Sequence, residues 1–317
     1  LLITPRGCVR QSRVALVAIA VAIPLGMLAT VYTGGRPAGT IAAEHKVQVV
    51  ASFYPLYDFS SHVAGGRADV TSLVPPGIEP HDWEPTLGDV TRVRSADMLV
   101  INGAGFEAWV DSIGAKKIVN TTEEIELEEY EEKEGDGHGH GVVNPHIWLD
   151  PVLAKHQVEA IRAALAQADP DNADYYSENA ASYTAELDSL DALIRSELSS
   201  CDKSEFIAFH DAFGHFAERY GLKQHAIHGV SPEGEILPQR LQQVIELARS
   251  LGISVIYSED LVDSRLAEVV AGEIPGGRVL VLSPIEGISS NERAAGIGYI
   301  EKMMENVANL KEGLGCA

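Results

Sequence analysis

Short apolar runs alternate with helix-forming segments twice along this chain, and that alternation limits the fold more than any single motif does. In the first block Val47 to Phe53, Val70 to Val74, Met98 to Ile101 and Lys117 to Val119 read as strands, with helices such as Leu56 to Ala64 and Leu87 to Ser95 between them. In the second block the strands are Phe206 to Phe209, Lys223 to Ile227, Ser254 to Tyr257 and Val279 to Leu282. They alternate with helices at Asp211 to Tyr220, Pro238 to Leu251 and Ser264 to Gly272, and a final helix is expected from Asn291 to Leu310. Such alternation implies parallel sheets with helices packed on their faces. Between the blocks, helical periodicity runs through Leu153, Val158, Ile161 and Leu165, pauses at Asp169-Pro170-Asp171, and resumes from Asn172 to about Ser199. At about 1.5 Å per residue the second stretch is some 40 Å long, enough to cross a whole molecule. The expectation is an α/β protein of two parallel-sheet lobes, residues 46–170 and 201–317, joined by one linking helix over 171–200.

Three histidines occupy the places where such a fold presents ligands, at the carboxyl ends of strands. His81 lies in the Pro- and Gly-rich loop PPGIEPHDWEPT after the second strand, and His146 lies in NPHIWLDP, bracketed by prolines. His210 follows the apolar run Phe206 to Phe209, where Asp211 is placed to cap the next helix and Gly221 to end it. Three imidazoles on stiff loops form a zinc-class donor set, because borderline metals favour neutral nitrogen at about 2.0–2.1 Å. After His146, Asp150-Pro151 has the form of a helix start, with Asp as cap and Pro in the first turn.

Charge adds a tilt toward cations. The chain carries 46 Asp and Glu against 24 Lys and Arg, and four of those Arg fall before Glu44, where no acid occurs. Such a surface repels nucleic acid and anionic lipid. The leader has Arg6, Arg10 and Arg13 ahead of an apolar run from Val14 to Tyr32, which reads as a signal peptide or an N-terminal membrane anchor, with a tether to residue 45. Positive charge before the run places the body outside the cytoplasm, periplasmic or at the cell surface. Cys8 precedes the run, so no lipid-modified cysteine is expected after it. Nine acids and one lysine crowd residues 123–136, followed by Gly137-His138-Gly139-His140-Gly141. No core can form there, so 123–141 is expected to be a surface loop, with His138 and His140 as an accessory, weak metal-collecting pair. Cys201 and Cys316 either form one disulfide or stay unpaired.

Taken together, VVASFYPLYDF near Val49, LVPPGIEPHDWEP, NPHIWLDP, FHDAFGHFAERYGL, LQQVIELARSLGISVIYSED and the terminal VLVLSP resemble the zinc-binding branch of the metal receptors of ABC importers, the cluster A-I (cluster 9) solute-binding family. The resemblance covers nearly the whole body. It implies two parallel α/β lobes joined by a long helix, Zn2+ held between them as cargo, and delivery to an ABC permease driven by its ATPase. It also implies that His81, His146 and His210 are ligands, and that the third histidine favours zinc over manganese. Many relatives have an aspartate before the proline of the last strand's loop, where this chain has Ser283. The fourth ligand is then water, Glu286 or Glu79, with Glu259 and Ser283 as candidates to orient ligands from behind. The rival readings are a manganese or iron receptor of the same family, a metal-binding adhesin or zinc buffer, and a zinc hydrolase. No H-E-x-x-H helix and no G-x-S-x-G elbow occurs, which argues against an enzyme. A monomer is expected, associated with the membrane through the leader or the permease.

Overall fold

A computed structural model of the chain describes residues 46–127, 129–130, 142–232, 234 and 236–317. The leader, His45, His138 and His140 lie outside the described residues. The first lobe runs β1 (Val47–Ala51), α1 (Tyr54–Ala64), β2 (Ala68–Ser72), α2 (Leu87–Ser95), β3 (Met98–Ile101), α3 (Val110–Ile113) and β4 (Ile118–Asn120). A short antiparallel pair follows, β5 (Glu129–Tyr130), within the acidic segment, with β6 (Val142–Val143). Then come α4 (Pro151–Ala168) and the long α5 (Ala173–Glu197). The second lobe runs β7 (Glu205–Ala208), α6 (Gly214–Tyr220), β8 (Lys223–Ala226), α7 (Pro238–Leu251), β9 (Val255–Ser258), α8 (Arg265–Gly272), β10 (Arg278–Val281), α9 (Ser290–Ala295) and α10 (Tyr299–Leu314).

Both main sheets are four-stranded and parallel throughout, in the orders β2-β1-β3-β4 and β10-β9-β7-β8. In each lobe the chain winds one way from its first strand and then the other, so a crevice opens at the carboxyl ends between β1 and β3 and between β7 and β9. The α/β expectation of two parallel-sheet lobes and a linking helix holds. The helix α5 buries Tyr176, Ala180, Tyr183, Leu187, Leu190 and Ile194, a stripe at spacings of three and four. That stripe belongs to one continuous core that reaches Val49 and Phe59 in the first lobe and Phe206, Tyr257 and Leu310 in the second. Each large apolar side chain so buried contributes roughly 1.5–3 kcal/mol, so the linking helix is packed and does not hang as a tether.

Two expected helices differ. Asp211 does not cap α6: its N–H donates to Gly229 O at 2.8 Å and its carbonyl accepts from Asn144 Nδ2 at 2.9 Å. That turn is held from both sides, and the helix starts only at Gly214. The final helix is two. Ser289 and Glu292 form a capping box for α9, Gly296 ends it at φ +74°, and Glu301 accepts from Gly298 N to open α10. Asp150 caps α4 as expected, accepting from Val152 N at 2.8 Å and Leu153 N at 3.4 Å. Cys201 and Cys316 are joined as a disulfide, so the open choice between paired and free thiols resolves to paired.

Candidate metal centre

Four loops at the carboxyl ends of the two sheets bring four side chains to one point. His81 comes from the loop after β2, His146 from the turn before α4, His210 from two residues past β7, and Glu286 from five residues past β10. His146 Nε2 lies 3.3 Å from His81 Nε2 and 3.1 Å from His210 Nε2. Glu286 Oε1 lies 3.1 Å from His81 Nε2, 3.1 Å from His146 Nε2 and 3.4 Å from His210 Nε2. All four donor atoms fall within 4.8 Å of one another. Donors on a tetrahedral zinc ion stand about 3.3–3.4 Å apart when each bond is about 2.0–2.1 Å. Five of the six edges of this group are therefore close to that length.

The tautomers follow from the hydrogen bonds behind the rings. Asn144 Nδ2 is committed to Asp211 O, so its Oδ1 is the acceptor for both His146 N at 3.0 Å and His146 Nδ1 at 2.7 Å. Glu259 Oε1 does the same for His210, accepting from its N at 3.1 Å and its Nδ1 at 2.6 Å. With protons on both Nδ1 atoms, the Nε2 lone pairs face inward. Glu286 Oε1 joins them as another acceptor, and Glu286 Oε2 is buried with no hydrogen-bond partner among the described residues. Lone pairs that converge repel one another unless a proton or a metal ion stands between them, and a buried carboxylate is costly unless a cation neutralises it.

The electrostatics of the site carry the same demand for positive charge. Burial pulls the His146 imidazole down to about 3. Burial also acts against a charged His210, but the Glu259 and Glu286 carboxylates outweigh it and raise His210 well above its ordinary value. Burial acts against a charged Glu286 too, and the His210 and His81 imidazoles outweigh it, holding Glu286 well below the usual carboxylate range. A site that takes up a proton at His210 offers the same place to a metal ion. The surroundings are dry: the His146, His210 and Glu286 side chains have no solvent exposure and His81 has 10%. Phe106 meets His81 edge-on at 4.9 Å and Trp148 packs on His146 at 5.0 Å.

Other candidates take other places. Glu79 accepts from His81 N at 3.0 Å, burial and then the like charge of Glu286 raise its carboxyl, and it lies outside the converging group. Ser283 touches none of the imidazoles; its Oγ donates to Asp260 Oδ2 at 2.8 Å. His215 points elsewhere, to Asn144 O at 2.9 Å. Sequence reasoning missed Asn144, Phe106 and Trp148. Asn144 had a signal, since an Asn two residues before His146 favours an Asx-turn onto that residue's N–H.

Two parallel α/β lobes on a shared helical spine, with polar side chains from both meeting at the carboxyl ends of the sheets, define a two-lobed solute-binding protein. The chain belongs to the family described as zinc-uptake complex component A, periplasmic, which it matches over residues 49–313. It is 41% identical over 281 residues to the high-affinity zinc uptake system protein ZnuA of Bacillus subtilis, covering 85% of this chain and 88% of that one. It is 36% identical over 282 residues to the zinc-binding lipoprotein AdcA of Streptococcus pneumoniae, covering 85% of this chain but only 56% of that relative's length. Among solved structures it is similar to the metal-dependent lipoprotein YcdH of Bacillus subtilis, at a TM-score of 0.74 and 38% identity over 85% of this chain and all of that one. It is also similar to the Zn(II)-bound ZnuA-like domain of Streptococcus pneumoniae AdcA, at a TM-score of 0.73 and 34% identity over 85% of this chain and 99% of that domain. Among the described residues no helix is long and apolar enough to cross a membrane.

Proposed function

We propose that this chain captures Zn2+ outside the cytoplasm and delivers it to an ABC-type importer, with His81, His146, His210 and Glu286 as the ligands. The observation that carries this reading is the convergence of three imidazole Nε2 atoms and one carboxylate oxygen, with neighbouring pairs at 3.1–3.4 Å. A His3Glu set suits zinc in softness and number, whereas manganese favours more oxygen. The set also argues for a receptor over a hydrolase, because catalytic zinc keeps a corner open for water and here a fourth side chain stands at that corner. The two lobes supply surfaces for a permease, and the family's description as part of an uptake complex favours such a partner.

Metal analysis of the purified soluble body, with competition among zinc, manganese and iron, tests the reading. One tightly held zinc per chain, displaced by neither competitor at equal concentration, is the expected result. Preferential retention of manganese or iron would refute the zinc assignment, and absence of any bound metal would refute the receptor.

A further inference from the structure

Glu286 reaches the other donors from a strap, Ser283 to Gly287, whose conformation is unusual. Ile285 is fully buried and sits at φ +57°, a left-handed conformation that a β-branched side chain strongly disfavours. Surrounding contacts must enforce it, and they converge on the two residues before it. Asn306 of α10, itself buried, accepts from Ser283 N at 2.8 Å and donates through Nδ2 to Ser283 O at 2.7 Å. An amide side chain is suited to this because it offers both a donor and an acceptor, as a neighbouring strand would. Ser283 Oγ donates to Asp260 Oδ2 at 2.8 Å and accepts from Ile285 N at 3.1 Å. Lys302, one turn before Asn306, holds the same Asp260 oxygen at 2.8 Å and Glu292 at 2.9 Å. From the other lobe, Trp148 Nε1 donates to Pro284 O at 2.7 Å.

We propose that Asn306 is a positioning residue for the metal's carboxylate ligand: its two-point grip on Ser283 keeps Ile285 left-handed and so keeps Glu286 Oε1 among the imidazoles. The inference rests on the reading of Glu286 as a ligand. Without the grip, Ile285 relaxes toward an ordinary backbone conformation, the strap turns, and two or more waters enter where the carboxylate stood, raising the number of ligands above four.

The test uses the soluble body loaded with Co2+, whose visible absorption is strong in a tetrahedral site and weak with five or six ligands. Asn306→Ala is expected to weaken that absorption and to lower Zn2+ affinity about 10- to 100-fold, the range for residues that orient ligands. Glycine takes the left-handed conformation freely. Adding Ile285→Gly to Asn306→Ala is therefore expected to restore at least half of the lost absorption, even though the change removes a buried side chain. Should Asn306→Ala lose the native circular dichroism, Asn306→Asp serves in its place, since it keeps the acceptor and removes the donor, and the same spectral loss is expected. An unchanged spectrum, with affinity within about twofold of the parent, overturns the inference, as does a double variant no better than the single one. If the unsubstituted chain itself gives no tetrahedral Co2+ spectrum, the ligand set fails and the inference falls with it. A strong parent spectrum matched by the variant defeats the inference alone.

Discussion

His146 and His210 stand 3.1 Å apart and are held alike, each with its backbone N–H and its Nδ1–H on a single oxygen, yet their basicities move in opposite directions. In the first lobe that oxygen belongs to a neutral amide, Asn144, and burial, aided by the neighbouring His210 and His81 charges, outweighs Glu286 and drives His146 to about 3. In the second lobe it belongs to a carboxylate, Glu259, and with Glu286 it lifts His210. On the proposed assignment of ligands, one lobe brings uncharged nitrogen to the cargo, the other brings the compensating charge, and a proton competes with the metal mainly at one corner, His210.

The largest expected effect breaks this arrangement. His146→Ala and His210→Ala should each weaken Zn2+ binding on the order of 1,000-fold, about 4 kcal/mol, measured by competition with a chromogenic chelator. Their pH dependences should differ. Affinity in the parent should rise from pH 6 to 8, because His210 holds a proton that zinc must displace. His146→Ala should keep that slope, whereas His210→Ala should flatten it. Equal slopes in both variants would refute the contrast.

The second lobe alone carries a disulfide, closing a separation of 115 residues between Cys201 and Cys316. The double Cys201→Ser/Cys316→Ser variant should lose about 2–5 kcal/mol in urea unfolding and keep Zn2+ affinity within about twofold. A large affinity loss would mean that the staple also shapes the site.

A smaller effect separates the two oxygens behind the rings. Glu259→Gln and Asn144→Ala should each cost about 10- to 100-fold in affinity. Calorimetry in buffers of different ionisation heat should show fewer protons released per zinc in Glu259→Gln, and no such change in Asn144→Ala.

The smallest effect lies in the first lobe, away from the cargo. The hydrogen bond to Asp58 raises His62 to about 9 against the pull of burial. Since that folded value lies above the unfolded one, near 6.5, the stabilisation is fully present below about pH 6.5 and lost as pH rises through about 9. An NMR titration of the His62 ring should show this midpoint, and Asp58→Asn should bring it back toward 6.5.

Much of this was legible in the residues. A Pro- and Gly-rich loop marked His81, a Pro-bracketed one His146 and the apolar run Phe206 to Phe209 His210, while Asp150-Pro151 and Gly221 mark helix ends by local chemistry that acts within a few positions. Glu286 stayed one choice among three because the turn that aims it depends on Trp148 and Asn306, 138 and 20 residues away. The split between α9 and α10 was readable in principle from Ser289-x-x-Glu292 and Gly296, but the apolar spacing runs on through the break and hid it. The late start of α6 was not readable, since Asp211 is a good cap by itself and is drawn away by Gly229 and Asn144.

The shared acceptors behind His146 and His210 also bear on how cargo leaves. Each ring is yoked to its own main chain through one atom, so swinging it aside while its peptide stays put breaks a buried hydrogen bond. On the proposed assignment of ligands, letting go of the ion at those corners is easier when a whole segment shifts and carries ring and acceptor together.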